Sequence, residues 1–451
     1  MKKLVAMILA LMMLLVSAFA MAEAGEGYPA VVEGIDFGGA TVTIYDYWSG
    51  LGERVADPTE EQQAQYDYRD WLMETYNVKL QQMQKGDWES NVKELINFTT
   101  APDGSLCLYI LPPDFVGTPM ANDLFAAWNE NDLVDFTDDK WNTSTINFMS
   151  KAGKVYGVAT GNSEPRQCLY FNKRVLEEAN IDWNTIYDMQ AEGTWTWAAF
   201  EDLLAKITKD VDNDGVTDIY GMTGNNSDLY MMGVVSNGAD FFHFNDAGEL
   251  EIGVNSDAAK EGLAWAKKIW NAYGFQQPAD GNWDYFKESW KQGFCGFYMY
   301  QTYGGFNDNS EMADMADEWG CVAFPIGPKG TTYVNITSDN VTVIPNVYDA
   351  ETVAKLVFIY DMWSNATPGY DDEWGWIGNK YNFTDERAVD ETYAMLREPE
   401  HCVSNATLYL GSVNDVIGSP LLWQLGGGEP ADIIEAAMPA WQAMCDTFNG
   451  K

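Results

Sequence analysis

Short apolar strands that alternate with amphipathic helices constrain the fold of this chain more than any other feature. Thr41–Tyr45 has the alternating β-branched pattern of a strand, and further strands are predicted over Val78–Met83 and Leu106–Leu111. Helices are predicted between them, over Glu60–Tyr76 and Glu89–Phe98. This order indicates an α/β fold with a parallel or mixed sheet.

The second half of the chain continues the same pattern. A helix is predicted over Ala198–Lys209, and a strand over Phe294–Tyr300. Ser256 is a candidate N-cap for a helix that Gly274 ends. The last helix is predicted over Ala431–Phe448, with Pro439 expected to kink or split it, and no flexible linker or internal repeat separates the elements.

Ligands of α/β sheets bind beyond the carboxyl ends of the strands. In the first half of the chain this rule indicates the loops 46–50 and 112–118, which follow predicted strands.

Length and charge limit the function classes. A chain of 451 residues suits two or three compact units of about 100–200 residues each. Its 26 basic and 68 acidic residues give a formal charge of −42, which argues against nucleic acid or an anionic lipid surface as partner because phosphates would be repelled.

The first 22 residues have the features of a secretory signal peptide. Lys2 and Lys3 precede an apolar run over Leu4–Val16, and small-x-small cleavage patterns end at Ala20 and Ala22. The protein is therefore expected to be secreted, periplasmic or held at the outer face of the membrane, with an uncleaved N-terminal anchor as the alternative. A lipid anchor is not expected, since no lipobox cysteine follows the segment.

Cysteine and histidine usage argues against metal and nucleophilic catalysis. Six cysteines form no CxxC pair and are expected to be buried free thiols. The two histidines, His243 and His401, have no partner at a metal-like spacing, so neither a zinc site nor a Ser-His-Asp triad is expected.

The segment from Asp210 to Gly221 has the spacing of a calcium loop. Carboxylates stand at loop positions 1, 3, 5 and 9, Gly215 at position 6 permits the sharp turn, and Gly221 replaces the usual Glu at position 12. The candidate ligands are Asp210, Asp212, Asp214, the backbone carbonyl of Val216, and Asp218. A structural calcium ion is one interpretation; an Asp-rich turn whose side chains cap their own backbone is the other. No cofactor is expected to be required.

Aromatic residues in loop-like contexts are candidates for stacking on a sugar, whose C–H faces pack on aromatic rings. They are Trp48, Tyr300, Tyr303, Trp374 and Trp376. Trp71, Trp265, Trp270 and Trp441 occur at helical spacing and are expected in the core.

Several motifs, in order along the chain, resemble the extracellular sugar-binding proteins of ABC importers, the maltose-binding-protein-like solute-binding family. They are Lys154–Val158 with Leu169–Lys173 and Val175–Asn180, Gly193–Trp197 with Asp210–Gly221, Ser236–Asp240, Gly320–Pro328, and Pro439–Asn449.

This resemblance implies a two-lobe periplasmic-binding-protein-like fold of type II, with mixed sheets flanked by helices and a ligand cleft between the lobes. Lobe one is expected to hold 27–160 and 335–398, and lobe two 161–334 and 399–451. Closure around the ligand would present a surface to the membrane permease. A monomer is expected.

The family's ligand contacts are carried over by position. The ligand-binding residues implied are Trp48, Ser49, Asp114, Glu164, Arg166, Asn226, Asp228, Tyr303 and Trp423. Val158 and Ala159 replace the family's usual proline, and Pro165 follows the hinge acid Glu164, so the position of the ligand is expected to differ.

The resemblance implies a solute-binding component of an ABC transporter that captures a carbohydrate, with an oligosaccharide expected, and that carries out no reaction on it. A secreted glycoside hydrolase or polysaccharide lyase is the alternative, and a carbohydrate sensor or adhesin is a third hypothesis. A hydrolase would turn over the sugar and would carry two carboxyl groups of raised pKa in one cleft.

Overall fold

The computed structural model describes residues 27–50, 54–163, 165–279, 281–282, 284–305, 312–313, 315–337, 339–370, 385–403 and 405–451. The predicted signal segment, Glu164, Trp374 and Trp376 lie outside the described residues. Within the described part of the chain, no helix combines the length and the apolar character needed to cross a membrane.

The described residues divide into two compact units. The first falls within Met1–Leu111, Asp123–Thr160 and Val341–Trp374, and the second within Pro112–Asn122, Gly161–Asn340 and Gly375–Lys451. Strands and helices are numbered below along the whole chain.

The first unit is built on a mixed four-stranded sheet of order β13-β3-β1-β2. Its central strand β1 is parallel to both neighbours, and β13 is antiparallel to β3. The strands of this unit are β1 Thr41–Asp46, β2 Lys79–Gln84, β3 Leu106–Leu111, β4 Ser150–Lys151, β5 Lys154–Val155 and β13 Val341–Val343. The helices are α1 Glu60–Thr75, α2 Asn91–Thr100, α4 Thr143–Phe148 and α11 Ala350–Trp363.

The second unit contains a mixed sheet of order β11-β6-β10-β7. Here β10 is parallel to β7, and β6 is antiparallel to both β10 and β11. The strands of this unit are β6 Gln167–Asn172, β7 Tyr220–Gly224, β8 Phe242–Phe244, β9 Leu250–Ile252, β10 Cys295–Gln301, β11 Trp319–Val322, β12 Asn335–Ile336 and β14 Cys402–Val403.

Helices surround this second sheet. They are α3 Gly117–Ala121, α5 Lys173–Glu178, α6 Asn184–Ala191, α7 Trp197–Ile207, α8 Asn226–Val235, α9 Asp257–Tyr273, α10 Tyr285–Lys291, α12 Ala394–Leu396 and α13 Pro430–Phe448. Short 3-10 turns span Pro113–Phe115, Thr302–Gly305, Pro399–His401, Ala406–Tyr409 and Leu422–Gln424, and π-helical turns span Ala388–Tyr393 and Asn414–Gly418.

The boundaries of α9 show how local chemistry sets an element. The Ser256 hydroxyl accepts a hydrogen bond from the backbone N–H of Ala259 at 3.2 Å, and Gly274 is the C-cap residue. Both ends are as the sequence predicts, because capping depends on neighbours within one turn. The helix α13 runs on through Pro439, so the expected split does not occur.

Each unit has its own apolar core. Val42, Ile44, Leu108 and Leu72 are fully buried in the first. In the second, every residue of β6 is buried, and the strand lies at the centre of a large aromatic cluster. The parallel-packed rings of Trp197 and Trp265 lie 4.0 Å apart within this core.

Three segments fall in a different unit from the one that the sequence resemblance implies. The division places 112–122, the described residues of 335–340, and 385–398 in the second unit, whereas the expected boundaries assign all three to lobe one. The backbone explains the first difference. A Cβ on Gly117 would lie 2.7 Å from the carbonyl oxygen of Leu408, so this segment packs directly against the 3-10 turn Ala406–Tyr409.

The six cysteines are free, as expected, and five of them are buried. Cys402 is partly exposed.

Candidate functional site: polar groups at the strand ends

The loop after β1 is shaped by one buried carboxylate. Asp46 Oδ1 accepts hydrogen bonds from the backbone N–H groups of Trp48, at 3.0 Å, and Ser49, at 2.9 Å. Its Oδ2 accepts from Gln82 Nε2 at 2.7 Å. A carboxylate that caps the N–H groups of the residues after it forces a tight turn, so the chain reverses where the strand ends.

This turn presents Trp48 outward. The Trp48 side chain is 50% exposed, and its ring contacts Tyr47 edge-on with centroids 4.8 Å apart. The Ser49 hydroxyl is buried and has no hydrogen-bond partner among the described residues. The loop after β1 thus offers an exposed ring and a buried hydroxyl that lacks a partner among the described residues.

Asp114 follows β3, on the 3-10 turn Pro113–Phe115. The backbone N–H of Val413 donates to its carboxylate, and the positive charge of Arg166 acts on it. Burial nevertheless dominates and raises the pKa of Asp114, because these two favourable interactions only partly offset the loss of hydration.

Arg166 is held through its backbone. Its N–H donates to Asn335 Oδ1 at 3.2 Å, and its carbonyl accepts from the N–H of Thr302 at 2.9 Å. The Thr302 hydroxyl also donates to the carbonyl of Pro165. These bonds tie the segment before β6 to the end of β10, which fixes the backbone from which the guanidinium extends.

Strand β7 leads into α8 through a glycine that no other residue can replace without strain. Gly224 has φ of +150°, and a Cβ there would lie 2.4 Å from the carbonyl oxygen of Met299. Asn225 then caps the helix by accepting from the N–H of Ser227 at 3.0 Å. Asn226 and Asp228 consequently lie in the first turn of α8, at the carboxyl end of β7.

Asp228 is buried, and no ion pair joins it to another of the described residues. Its pKa is raised to about 7, chiefly by burial, while a hydrogen bond from Gln167 lowers it in part. Its Oδ2 has no hydrogen-bond partner among the described residues, and the same holds for Gln167 Oε1. Buried polar atoms without partners are uncommon in folded proteins and indicate a missing water, ion or ligand.

The register of the strands explains why Gln167 and Asp228 lie at the same end of the second sheet. Gln167 begins β6 and pairs with Gln301 at the end of antiparallel β10, and β7 ends at Gly224 beside Met299 of the same strand. One end of the second sheet therefore carries Gln167 and Asp228, and Arg166 precedes Gln167 in the chain.

The structure connects some of the predicted site residues and separates others. In the second unit Asp114 interacts with Arg166, and Asp228 interacts with Gln167, the residue that follows Arg166 in the chain. Trp423 is on the 3-10 turn Leu422–Gln424, 53% exposed, with its ring packed on Gly418. Glu164 and the side chain of Tyr303 lie outside the described residues.

Sequence reasoning missed Gln167, a residue that pairs with the predicted Asp228. The available signal was its place next to Arg166, immediately before a strand whose apolar residues continue without a break.

The exposure of the aromatic side chains tests which of them belong to the core and which could contact a sugar. Trp71, Trp270 and Trp441 are buried and Trp265 is partly buried, as helical spacing indicates. Tyr300 is only 7% exposed within β10, stacked on Tyr298 with centroids 4.9 Å apart. It lies in the strand predicted over Phe294–Tyr300, and its burial there argues against a role in stacking on a sugar.

In the acidic loop Asp210–Gly221 of the second unit, three carboxylate side chains approach one another. Single carboxylate oxygens of Asp210, Asp212 and Asp218 all lie within 4.8 Å of one another. The loop is closed at its base by an antiparallel bridge between Lys209 and Ile219. Carboxylate oxygens at this separation suit a hard cation, so the residues fit the calcium ion that the spacing predicts.

The same carboxylates also bond to the loop's own backbone. Asp210 accepts from the N–H of Gly215 at 2.8 Å, Asp214 from Val216 at 2.7 Å, and Asp218 from Val211 at 2.7 Å. Both interpretations of the loop, a cation site and a self-capped turn, are therefore compatible with its geometry, and calcium binding stays a prediction.

Comparison with solved structures gives the fold. The cyclic alpha-maltosyl-1,6-maltose binding protein of Arthrobacter globiformis shares 16% identity, with 91% of this chain and 100% of that chain covered and a TM-score of 0.63. The maltose-maltodextrin binding protein of Alicyclobacillus acidocaldarius shares 15% identity over 89% and 100%, with a TM-score of 0.56. The chain has the fold of a solute-binding protein.

An ABC substrate-binding protein of Listeria monocytogenes, solved in complex with cycloalternan, is similar to the same extent. It shares 14% identity over 91% of this chain and 98% of that chain, with a TM-score of 0.58. No protein-family model and no curated protein sequence matches the chain. The predicted α/β fold, with two units and mixed sheets flanked by helices, is confirmed, and the resemblance found in the motifs is confirmed at the level of the fold.

Proposed function

We propose that this protein is the extracytoplasmic solute-binding component of an ABC importer, and that it captures a neutral carbohydrate, an oligosaccharide, for delivery to a membrane permease. The observation that carries the proposal is the polar end of the second sheet, where Gln167 and Asp228 are hydrogen-bonded and each leaves one buried acceptor without a partner among the described residues. The solute-binding-protein fold supports it, since the similar structures include proteins solved with sugars.

Carbohydrate suits this arrangement chemically. Sugar hydroxyls are donors and acceptors at once, so they can satisfy carboxylate and amide oxygens without bringing a charge into the site. Each unit also carries an exposed ring of the kind on which sugar C–H faces pack, Trp48 in the first and Trp423 in the second. A strongly anionic ligand is disfavoured by the net charge of −42.

A secreted glycoside hydrolase is the competing function. Two carboxyl groups of raised pKa are the feature expected of this alternative, and burial raises the pKa of both Asp114 and Asp228. The similar solved structures are those of binding proteins, which favours binding without turnover. An assay for product formation separates the two functions.

A thermal-shift screen of the mature protein against neutral mono- to tetrasaccharides tests the proposal. A bound sugar at a hundredfold excess over its dissociation constant stabilises the protein by roughly 3 kcal/mol and raises the melting temperature. The same sugars are recovered and analysed after incubation. Product formation supports the hydrolase instead, and a shift with peptides or polyamines only would contradict the carbohydrate class.

A further inference from the structure

Two buried acceptor atoms belong to the two side chains of one hydrogen-bonded pair. Asp228 is 4% exposed and Gln167 is 5% exposed, and neither Asp228 Oδ2 nor Gln167 Oε1 has a hydrogen-bond partner among the described residues. The side chains are bonded to each other. The folded chain thus leaves two lone-pair positions without a donor in a place where losing a hydrogen bond is costly.

The orientation of the Gln167 amide follows from its partner. A carboxylate only accepts, so the amide N–H must donate to Asp228, and this leaves Oε1 directed elsewhere. The two orphaned oxygens therefore belong to adjoining groups, and a molecule that satisfies both needs two neighbouring donors.

Charged groups near this pair are engaged with other partners. The charge of Arg166 acts on Asp114, and its backbone is bonded to Asn335 and Thr302. On β10, which packs against α8, Tyr300 is buried in the aromatic cluster.

Helix α9 also packs on α8, and several of its charged side chains form ion pairs elsewhere. The pairs are Lys267 with Glu429, Lys268 with Glu201, and Glu261 with Lys329. The neighbouring strand β12 and the turn Leu422–Gln424 contribute no ionisable residue. The pKa of Asp228 is accordingly set by burial, which raises it to about 7, and by Gln167, which lowers it.

We propose that two neighbouring hydroxyl groups of a neutral polyol donate to Asp228 Oδ2 and Gln167 Oε1, and that Asp228 binds this ligand as a carboxylate, so that binding expels one proton. This rests on the proposed function and adds to it the class of ligand group at this position and a linkage between capture and pH. Hydroxyl donors stabilise the charged form of a carboxyl group, so its affinity for a proton falls when the sugar is bound.

The affinity for the sugar is expected to rise as the pH rises towards 7. Below pH 7 the ligand-free carboxyl group is largely protonated, and the sugar must displace that proton. The dissociation constant is expected to fall about tenfold for each pH unit gained below the midpoint and to be constant above it. Between pH 5 and pH 7 the change is on the order of fiftyfold.

Isothermal titration calorimetry tests this with the neutral oligosaccharide that gives the largest thermal shift in the screen. Titrations in two buffers of different ionisation enthalpy count the protons released. We expect release of about one proton at pH values below the midpoint and none well above it.

Three variants sharpen the test. D228N removes the ionisable group at nearly constant shape and should bind weakly with no proton release. Q167M removes the hydrogen bond that lowers the pKa of Asp228 and should move the midpoint to higher pH. D432N removes an exposed carboxylate of the same unit and should behave like the unchanged protein.

The outcomes separate the two proposals. If a sugar binds with no proton release across this range, or if D228N keeps the release, the inference is wrong while the proposed function stands. If D228N does not fold, the proton count of the unchanged protein and the midpoint of Q167M decide. If no carbohydrate binds at any pH, the proposed function itself fails.

Discussion

The Asp46 carboxylate holds the backbone N–H of Trp48 at 3.0 Å, and this bond sets the direction in which the exposed ring leaves the first sheet. Truncation to D46A removes three accepted hydrogen bonds from a buried position and should destabilise the protein by about 2 kcal/mol. D46N keeps an acceptor for the turn and should cost less. Urea unfolding measures both, with D57A, at an exposed site in the same unit, as the control. Equal losses in D46A and D57A would show that the turn is held by other contacts.

Removal of the Trp423 ring should weaken sugar binding with little effect on folding. The ring is 53% exposed, so W423A loses little buried surface. A stacking contact worth on the order of 1 kcal/mol corresponds to several-fold weaker binding. Calorimetry of W423A and of F448A, which removes another exposed ring of the second unit, distinguishes a ligand contact from a general surface effect. Equal affinity in all three proteins would exclude Trp423 from the site.

The stability of the ligand-free protein should depend on Asp228 in a predictable direction. Burial raises the pKa of this folded carboxyl group to about 7, whereas in the unfolded chain it ionises near its ordinary value of 3.8. Between these values unfolding releases a proton, so raising the pH favours the unfolded state. The loss is fully developed above pH 7, present in part between about pH 4 and pH 7, and absent below, with an upper limit of about 4 kcal/mol.

D228N should remove this dependence. Its free energy of unfolding, measured in urea, should exceed that of the unchanged protein at about pH 8 and approach it at about pH 4, with D432N unaffected at both. A D228N protein that is less stable at about pH 8 would show that the carboxylate has a partner when the site is empty.

Calcium should stabilise the second unit if the acidic loop binds a cation. Three carboxylate oxygens within 4.8 Å repel one another in the absence of positive charge, and Ca²⁺ would remove this repulsion. Added CaCl₂ at a hundredfold excess over its dissociation constant should raise stability by roughly 3 kcal/mol, and a chelator should reverse the gain. D218N should abolish the response, while D246N, at an exposed turn, should keep it. If neither calcium nor the chelator changes the melting temperature, the interpretation as a self-capped turn is favoured.

Local features were predictable from the sequence, and non-local ones were not. Leu106–Leu111 forms a strand with the predicted bounds, and the ends of α9 follow from Ser256 and Gly274, because alternation and capping involve near neighbours. The loop after Asp46 was found by the strand-end rule. Gln167 was missed because its importance lies in its contact with Asp228, 61 positions later in the chain, and no local pattern records such a pairing.

The order of the strands has a consequence for how the chain is made. The edge strand β13, Val341–Val343, completes the sheet of the first unit beside β3, yet it is synthesised after the whole of Gly161–Asn340. Neither unit is one continuous stretch of chain, so cutting the gene at a single point cannot yield either unit alone. The first unit therefore stays unfinished until most of the protein has left the ribosome.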